Sequence, residues 1–263
     1  MSDVIDDLAA EHAAVDAMVS GLDEAQWHTP TPAVGWDVLD SVSHLYYYDQ
    51  RAVLAMSDTD AFARHVEDVV AHGIPHDVDV EPGRGLGGPA LLPVWRRGRE
   101  QLLSTMRDAD PGQRVVWYGP SMSLRSFVTA RLMETWAHGV DIADALELPL
   151  TSHSVSDRLR NVCHLCVGAR AYSFFVRGIE DPGDPVRVEV TGPEGSVWSW
   201  GPAEAADRVT GTALDLALLV TQRRHLADTT LEVSGPTATK WLSIAQSFAG
   251  PAGAGRQPLA ASS

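Results

Sequence analysis

The sequence predicts an α+β chain: a helical bundle over residues 1–180, a small α+β unit over residues 181–250, and a tail over residues 251–263. Three observations carry this. Apolar residues recur with the 3.6-residue period of a helix through five long stretches before Asp181. After Asp181-Pro-Gly the period changes to two, with Val186, Val188 and Val190 alternating. Clusters of Pro and Gly separate the stretches, as helix and strand breakers do, and the closing run G-P-A-G-A-G-R-Q-P-L-A-A-S-S has the composition of a disordered segment.

Composition bounds what such a chain can do. Its 263 residues are 44% hydrophobic, enough for a sizeable core. The formal net charge of −15 disfavours nucleic acid or an anionic membrane as a partner through bulk electrostatics. Lys240 is the only lysine, so the remaining basic residues are arginines, and with abundant Ala, Gly and Asp this resembles the codon bias of a GC-rich, actinobacterial genome. The acidic N-terminus lacks a basic region and an apolar stretch, no segment has the length of a membrane span, and Cys163 and Cys166 are the only cysteines. A cytoplasmic location follows as the expectation.

Taken in order, residues 3–22 form a first helix with Val4, Ile5, Leu8, Val15, Met18, Val19 and Leu22 inward. His12 falls on that stripe, either as a core histidine bonded to a neighbour or in the lining of a site. Pro30, Pro32 and Gly35 break the chain, and Asp37 is placed to cap a second helix that carries Val38, Val42, Leu45 and Ala52 inward, with His44, Tyr48 and Asp49 near the same face. A short helix is expected near residues 60–70. His72, His76, Asp77, Asp79 and Glu81 then read as a solvated loop, and G-R-G-L-G-G as a mobile loop over a pocket mouth. A third long helix spans about 89–107, with Leu91, Trp95, Leu102 and Met106 buried and Arg96, Arg97 and Arg99 outward. A fourth, capped by Ser121 or Ser123, covers 127–145, and a fifth about 155–177. On the fifth, Cys163 and Cys166 read as small core residues, lacking the preceding strand of a redox motif and the second ligand pair of a zinc site. Beyond residue 181 come strands at V-R-V-E-V, S-V-W-S-W and L-E-V-S-G, a turn at T-G-P-E-G, and helices at about 213–224 and 237–248.

The fourth helix carries the chemistry. Glu134 and His138 stand one turn apart, so their side chains share a face with Phe127, Ala130, Arg131 and Asp141. Either these polar groups meet water or they face inward and bind something that satisfies them. A carboxylate and an imidazole so placed supply two ligands for a divalent ion, and His44 on the second helix is the candidate third.

The runs P-T-P-A-V-G-W-D-V-L-D-S-V-S-H-L and M-E-T-W-A-H-G-V-D-I-A-D-A-L resemble the N-terminal domain of mycothiol-dependent maleylpyruvate isomerases, which are DinB-like four-helix metalloproteins. The C-terminal unit resembles the sterol-carrier-like domain that accompanies that bundle. The resemblance implies a divalent metal, usually zinc, on His44, Glu134 and His138. It also implies an arginine from the C-terminal unit in the active site, Arg223 or its neighbour Arg224, although Gln222 stands where the family has Gly. The implied activity is that of a metal-dependent thiol S-transferase or isomerase. Mycothiol would be the low-molecular-weight thiol and a small, carboxylate-bearing electrophile the substrate. Tyr48, Asp49, His12 and Asp141 are then candidate proton-transfer or supporting groups. A metal-dependent hydrolase or lyase, or a non-catalytic metal- or small-molecule-binding protein, are the alternatives on the same residues.

Overall fold

The computed structural model describes residues 2–73, 77–150 and 154–259. It divides into two compact units, Met1–His153 and Ser154–Ser263.

In the first unit, four long helices form the frame: α1 (Ser2–Val19), α3 (Val38–Ser57), α6 (Gly88–Asp108) and α7 (Leu124–Ala145). The packing runs in a ring, α1 on α7, α7 on α3, α3 on α6, and α6 back on α1. Each buries the stripe its sequence periodicity marks. Val15, Val42, Leu45, Leu91, Trp95 and Ile142 meet in one core, and a buried aliphatic or aromatic side chain contributes about 1.5–3 kcal/mol each. Among the described residues, three shorter helices lie between them: α2 (Glu24–Trp27), α4 (Thr59–His72) and α5 (Glu81–Leu86). Trp27 from α2 closes on Gly88, where a Cβ would stand 2.1 Å from the indole, so no larger residue fits at the start of α6.

Local signals set the helix starts. Asp37 caps α3, its side chain accepting from the Asp40 amide while the Asp40 side chain accepts from the Asp37 amide. Ser123 caps α7 by accepting from the Ser126 amide.

Several expectations need correction in this unit. A two-stranded antiparallel ribbon, β1 (Arg114–Val115) with β2 (Met122–Ser123), precedes α7, so strands are not confined to the region after residue 181. The Gly-rich run expected as a mobile loop contains α5 and the start of α6. It is held to α3: Ser43 Oγ donates to the carbonyls of Asp79 and Val80 at 2.8 and 3.2 Å and accepts from the Gly83 amide at 2.8 Å. A Cβ on Gly83 would lie 2.6 Å from that of Ser43, so the close approach depends on glycine. Arg99 is not outward. It donates to Asp16, stacks on Trp95 at 4.6 Å and is only 16% exposed, and Arg96 grips the same Asp16 with two hydrogen bonds. His76 lies outside the described residues.

The second unit is a four-stranded sheet in the order β4 (Val197–Trp200), β3 (Val186–Thr191), β5 (Asp207–Thr212), β6 (Glu232–Ser234). The central pair is parallel, with Val186 opposite Asp207, and the outer pairs are antiparallel. Four helices accompany it: α8 (Leu159–Gly168), α9 (Arg170–Phe175), α10 (Ala213–Val220) and α11 (Pro236–Leu242). The expected fifth bundle helix is thus two short ones that belong with the sheet, and the boundary falls at residue 153 rather than 180. Cys163 and Cys166 are buried core thiols, and burial pushes both pKa values up. The segment 251–259 has no regular structure, yet it is tied down: Arg177 donates to the Gly253 carbonyl, and the Leu259 amide to Asp228. Composition alone led to the expectation of disorder there.

Candidate metal centre

The core of the first unit brings together three residues from two helices. Ligand atoms of His44 on α3 and of Glu134 and His138 on α7 all lie within 4.8 Å of one another. The His44 and His138 rings are 4.5 Å apart, and His138 Nε2 is 3.8 Å from Glu134 Oε2. His138 is buried, and the other two are half-buried.

Whether the set fits a divalent ion turns on what the far side of each ring does. His44 Nδ1 bonds Asp79 Oδ2 at 2.7 Å, which leaves Nε2 for ligation. His138 Nδ1 lies 3.5 Å from Asp141 Oδ2, and Asp141 is fully buried. The carboxylate behind His44 fixes its tautomer and ring plane and strengthens Nε2 as a donor, while Asp141 stands at ion-pair distance from His138 Nδ1. Two imidazoles and one carboxylate so placed fit a divalent ion of the zinc type and leave coordination positions open.

Aromatic rings surround the cluster. Trp36 stacks on His138 with centroids 5.7 Å apart and lies 5.1 Å from His44. It is presented by a tight loop in which Gly35 has a positive φ of 82°, Thr31 Oγ1 donates to the Trp36 carbonyl, and Pro30 bridges to Asp37. Tyr48 lies 4.7 Å from His44 on the other side. Burial, then the charge of Asp79, pushes the Tyr48 phenol well above its ordinary pKa, so it stays protonated.

Asp49 and His12 belong to a different network. Asp49 is fully buried and accepts from Arg131 Nη2 at 2.9 Å and from Trp95 Nε1 at 3.3 Å. His12 Nε2 is 3.6 Å away, and its ring meets Trp95 edge-on. Burial first, partly offset by Asp49 and reinforced by Arg99 and Arg131, pulls the His12 pKa down to about 4, so it is neutral near pH 7. Arg223 belongs to the second unit, where Nη1 donates to the Thr221 carbonyl.

Sequence reasoning named the three residues that the structure brings together but missed Asp79 and Trp36 beside them. Asp79 stands in a stretch that reads as a solvated loop, and only the Ser43 contacts show otherwise. Trp36 had a mark in the P-T-P-A-V-G-W-D run, whose glycine turns the chain just before the indole.

A ring of four helices with a His–Glu–His set on two of them defines the class: helical bundles that bring together, from facing helices, side chains able to hold an ion. Comparison identifies the family. Residues 8–143 match the model described as the mycothiol maleylpyruvate isomerase N-terminal domain, and the chain belongs to that family. Residues 182–232 match a second model, described as wyosine base formation. Two uncharacterized proteins from strains of Mycobacterium tuberculosis are each 43% identical over 251 residues, covering 95% of this chain and 96% of theirs. Two crystal structures of the mycothiol-dependent maleylpyruvate isomerase, one of a histidine-to-alanine mutant, superpose with TM-scores of 0.60 and 0.58. Each covers 90% of this chain and 93% of its own at 15% identity, a likeness of fold. Among the described residues no helix is long and apolar enough to cross a membrane.

Proposed function

We propose that this protein is a metal-dependent thiol enzyme that joins mycothiol to a small electrophile, with isomerisation or S-transfer as the outcome. The observation that carries the reading is the ligand set, three donor atoms within 4.8 Å with an acidic partner already in place behind His44. His44, Glu134 and His138 would hold the ion, zinc by the habit of the family. A divalent cation there favours the thiolate over the thiol at neutral pH.

The chain's own groups do the rest. Asp79 holds the His44 imidazole at a fixed angle, and Asp141 lies beside His138 Nδ1. Trp36 and Tyr48 flank the ligands with apolar ring faces, which keeps bulk water from competing with a thiol. The Tyr48 phenol, protonated and beside His44, donates a hydrogen bond to the oxyanion that develops when a thiolate adds to an alkene conjugated with a carbonyl. If the adduct rotates and expels the thiol, the alkene is isomerised. If it persists, the thiol has been transferred. His12 and Asp49 are assigned to holding α1, α3, α6 and α7 together. Arg223 enters as the residue that would grip a substrate carboxylate, through two parallel hydrogen bonds from its guanidinium.

The test is metal analysis of the purified protein, followed by mass spectrometry after incubation with mycothiol and conjugated alkenoic acids. About one ion per chain, lost in the His44→Ala, His138→Ala double variant, is expected, together with thiol-dependent turnover that falls roughly a hundredfold or more in Arg223→Ala. Turnover of esters or amides without added thiol would instead favour a hydrolase on the same residues.

A further inference from the structure

The first unit contains a second polar feature that the ligand set does not use. Arg51 lies on α3, seven residues after His44. At 100° per residue the two side chains point in nearly the same direction, about 10 Å apart along the axis, with Tyr48 between them. The guanidinium reaches back over the ring of Tyr47, with Cζ 5.2 Å from the ring centroid, as helical side chains reach toward the N-terminus. That brings it to within about one to two turns of His44.

Its surroundings are unusual for a cation in so acidic a chain. Arg84, Arg96, Arg99, Arg107, Arg125 and Arg131 each grip a carboxylate. Among the described residues Arg51 forms no ion pair, and its Nε is buried without a hydrogen-bond partner. What lies against it instead is the Tyr47 ring, one of a cluster of rings. Tyr48 packs edge-on against Tyr47, Trp117 and Tyr118, and Phe62 stacks on Trp117 at 5.3 Å. His65 Nε2 and the Tyr118 hydroxyl are bonded at 2.9 Å. The charge of Arg51 reaches both, adding to burial in lowering the His65 pKa and opposing it at Tyr118. A half-buried guanidinium with no carboxylate at ion-pair distance among the described residues favours an anionic ligand.

We propose that Arg51 is a carboxylate-binding residue that anchors the far end of an acidic substrate whose reacting end lies at His44, Glu134 and His138. A single planar fork suits a carboxylate, whereas a doubly charged phosphate calls for more than one cation. The spacing selects length. A gap of about 5–10 Å corresponds to a carboxylate about four to eight bonds from the reacting carbon. The flat rings of Tyr47, Tyr48 and Trp117 suit an unsaturated chain. The substrate half of this inference rests on the thiol-enzyme reading, but the anion site itself does not.

The test uses the full-length protein and a probe pair, succinate and its neutral diamide succinamide, followed by calorimetry or NMR. Wild type is expected to bind succinate in preference to succinamide. Arg51→Met should weaken succinate by roughly tenfold or more, with Arg51→Lys intermediate and succinamide unaffected. Arg51→Gln takes the place of Met should the latter fail to fold. The same loss should appear in the His44→Ala, His138→Ala background, which removes direct ligation of succinate by an ion. Equal binding of succinate by Arg51→Met and wild type overturns the proposal, as does wild type that cannot tell succinate from succinamide. Binding abolished by the double histidine variant but indifferent to Arg51 overturns it too, while leaving the thiol reading intact. Absence of thiol chemistry alongside an Arg51-dependent succinate site refutes the thiol reading and upholds the anion site.

Discussion

Removing the carboxylate of Asp79 tests whether the ligand set is preorganised or merely close. Asp79 Oδ2 accepts from His44 Nδ1 at 2.7 Å, the one polar contact described for that side of the ring. Without it, His44 can rotate or take the other tautomer, and either change must be reversed before Nε2 can ligate. Loss of such a carboxylate–histidine partner weakens metal binding by roughly tenfold to a hundredfold, equivalent to about 1.4–2.8 kcal/mol. The fold should scarcely notice. The Ser43 hydroxyl still bonds the Asp79 carbonyl and the Gly83 amide, and Arg84 still grips Asp40 at 2.8 and 2.9 Å. Both members of the pair are partly exposed, at 15% and 17%, so water can replace the lost partner at a cost of about 1 kcal/mol or less.

The assay is competition for zinc against a chromogenic chelator, run beside urea unfolding. Asp79→Ala should show the full loss. Asp79→Asn should show less, because its amide oxygen still accepts from Nδ1 without the charge. Wild-type zinc affinity in Asp79→Ala would falsify the orienting role. A loss of more than about 3 kcal/mol of folding stability would show that the carboxylate anchors the segment rather than the ring.

Two further outcomes test the other network on α3. His12 takes up a proton near pH 6.5 in the unfolded chain but only near 4 in the folded protein. Between those values the unfolded state binds more protons, so stability falls as the pH drops, by about 3 kcal/mol in all. Urea midpoints at pH 7 and pH 5 should therefore diverge in wild type and converge in His12→Leu, and an unchanged pH dependence in the variant rules out His12 as the source. Arg131→Met leaves Asp49 buried with its charge opposed only by distant groups, which costs about 3–5 kcal/mol. Chemical denaturation should show that drop, and a variant as stable as wild type would refute the Arg131–Asp49 pair as a source of stability.

How far the sequence could be read depended on the range of each signal. The caps at Asp37 and Ser123 were legible because a side chain bonds its own backbone three residues on. The stripes of α1, α3, α6 and α7 were legible because burial repeats every turn, and the pairing of Glu134 with His138 follows from helix geometry alone. Strand β5 escaped notice because Gly211 and two threonines interrupt it. Its place comes from backbone pairing with a strand on each side, not from an apolar pattern. The break between α8 and α9 had only Gly168 to mark it. Asp79 was illegible for a deeper reason: its partner is 35 residues away, and the contact exists only because Ser43 and a glycine at position 83 let the two backbones meet.

The roles of Asp49 and His44 separate on the same geometric ground. Five residues along a helix turn the side chain by about 140°, whereas seven return it almost to its starting direction. Asp49 therefore faces Arg131, Trp95 and His12, in a buried network on one side of α3. His44, Tyr48 and Arg51 share the other side, where every described contact of the series is a ring, a ligand residue or Asp79. A helix that carried one site across its whole circumference would expose Asp49 to the thiol and the ion alike, and a carboxylate bound to Arg131 could not serve as a base without first giving up that partner. Under the proposed thiol reading, stability rests on one face and chemistry on the other. Substitutions at Asp49 should accordingly be read out in the unfolding free energy, and substitutions along His44, Tyr48 and Arg51 in binding and turnover.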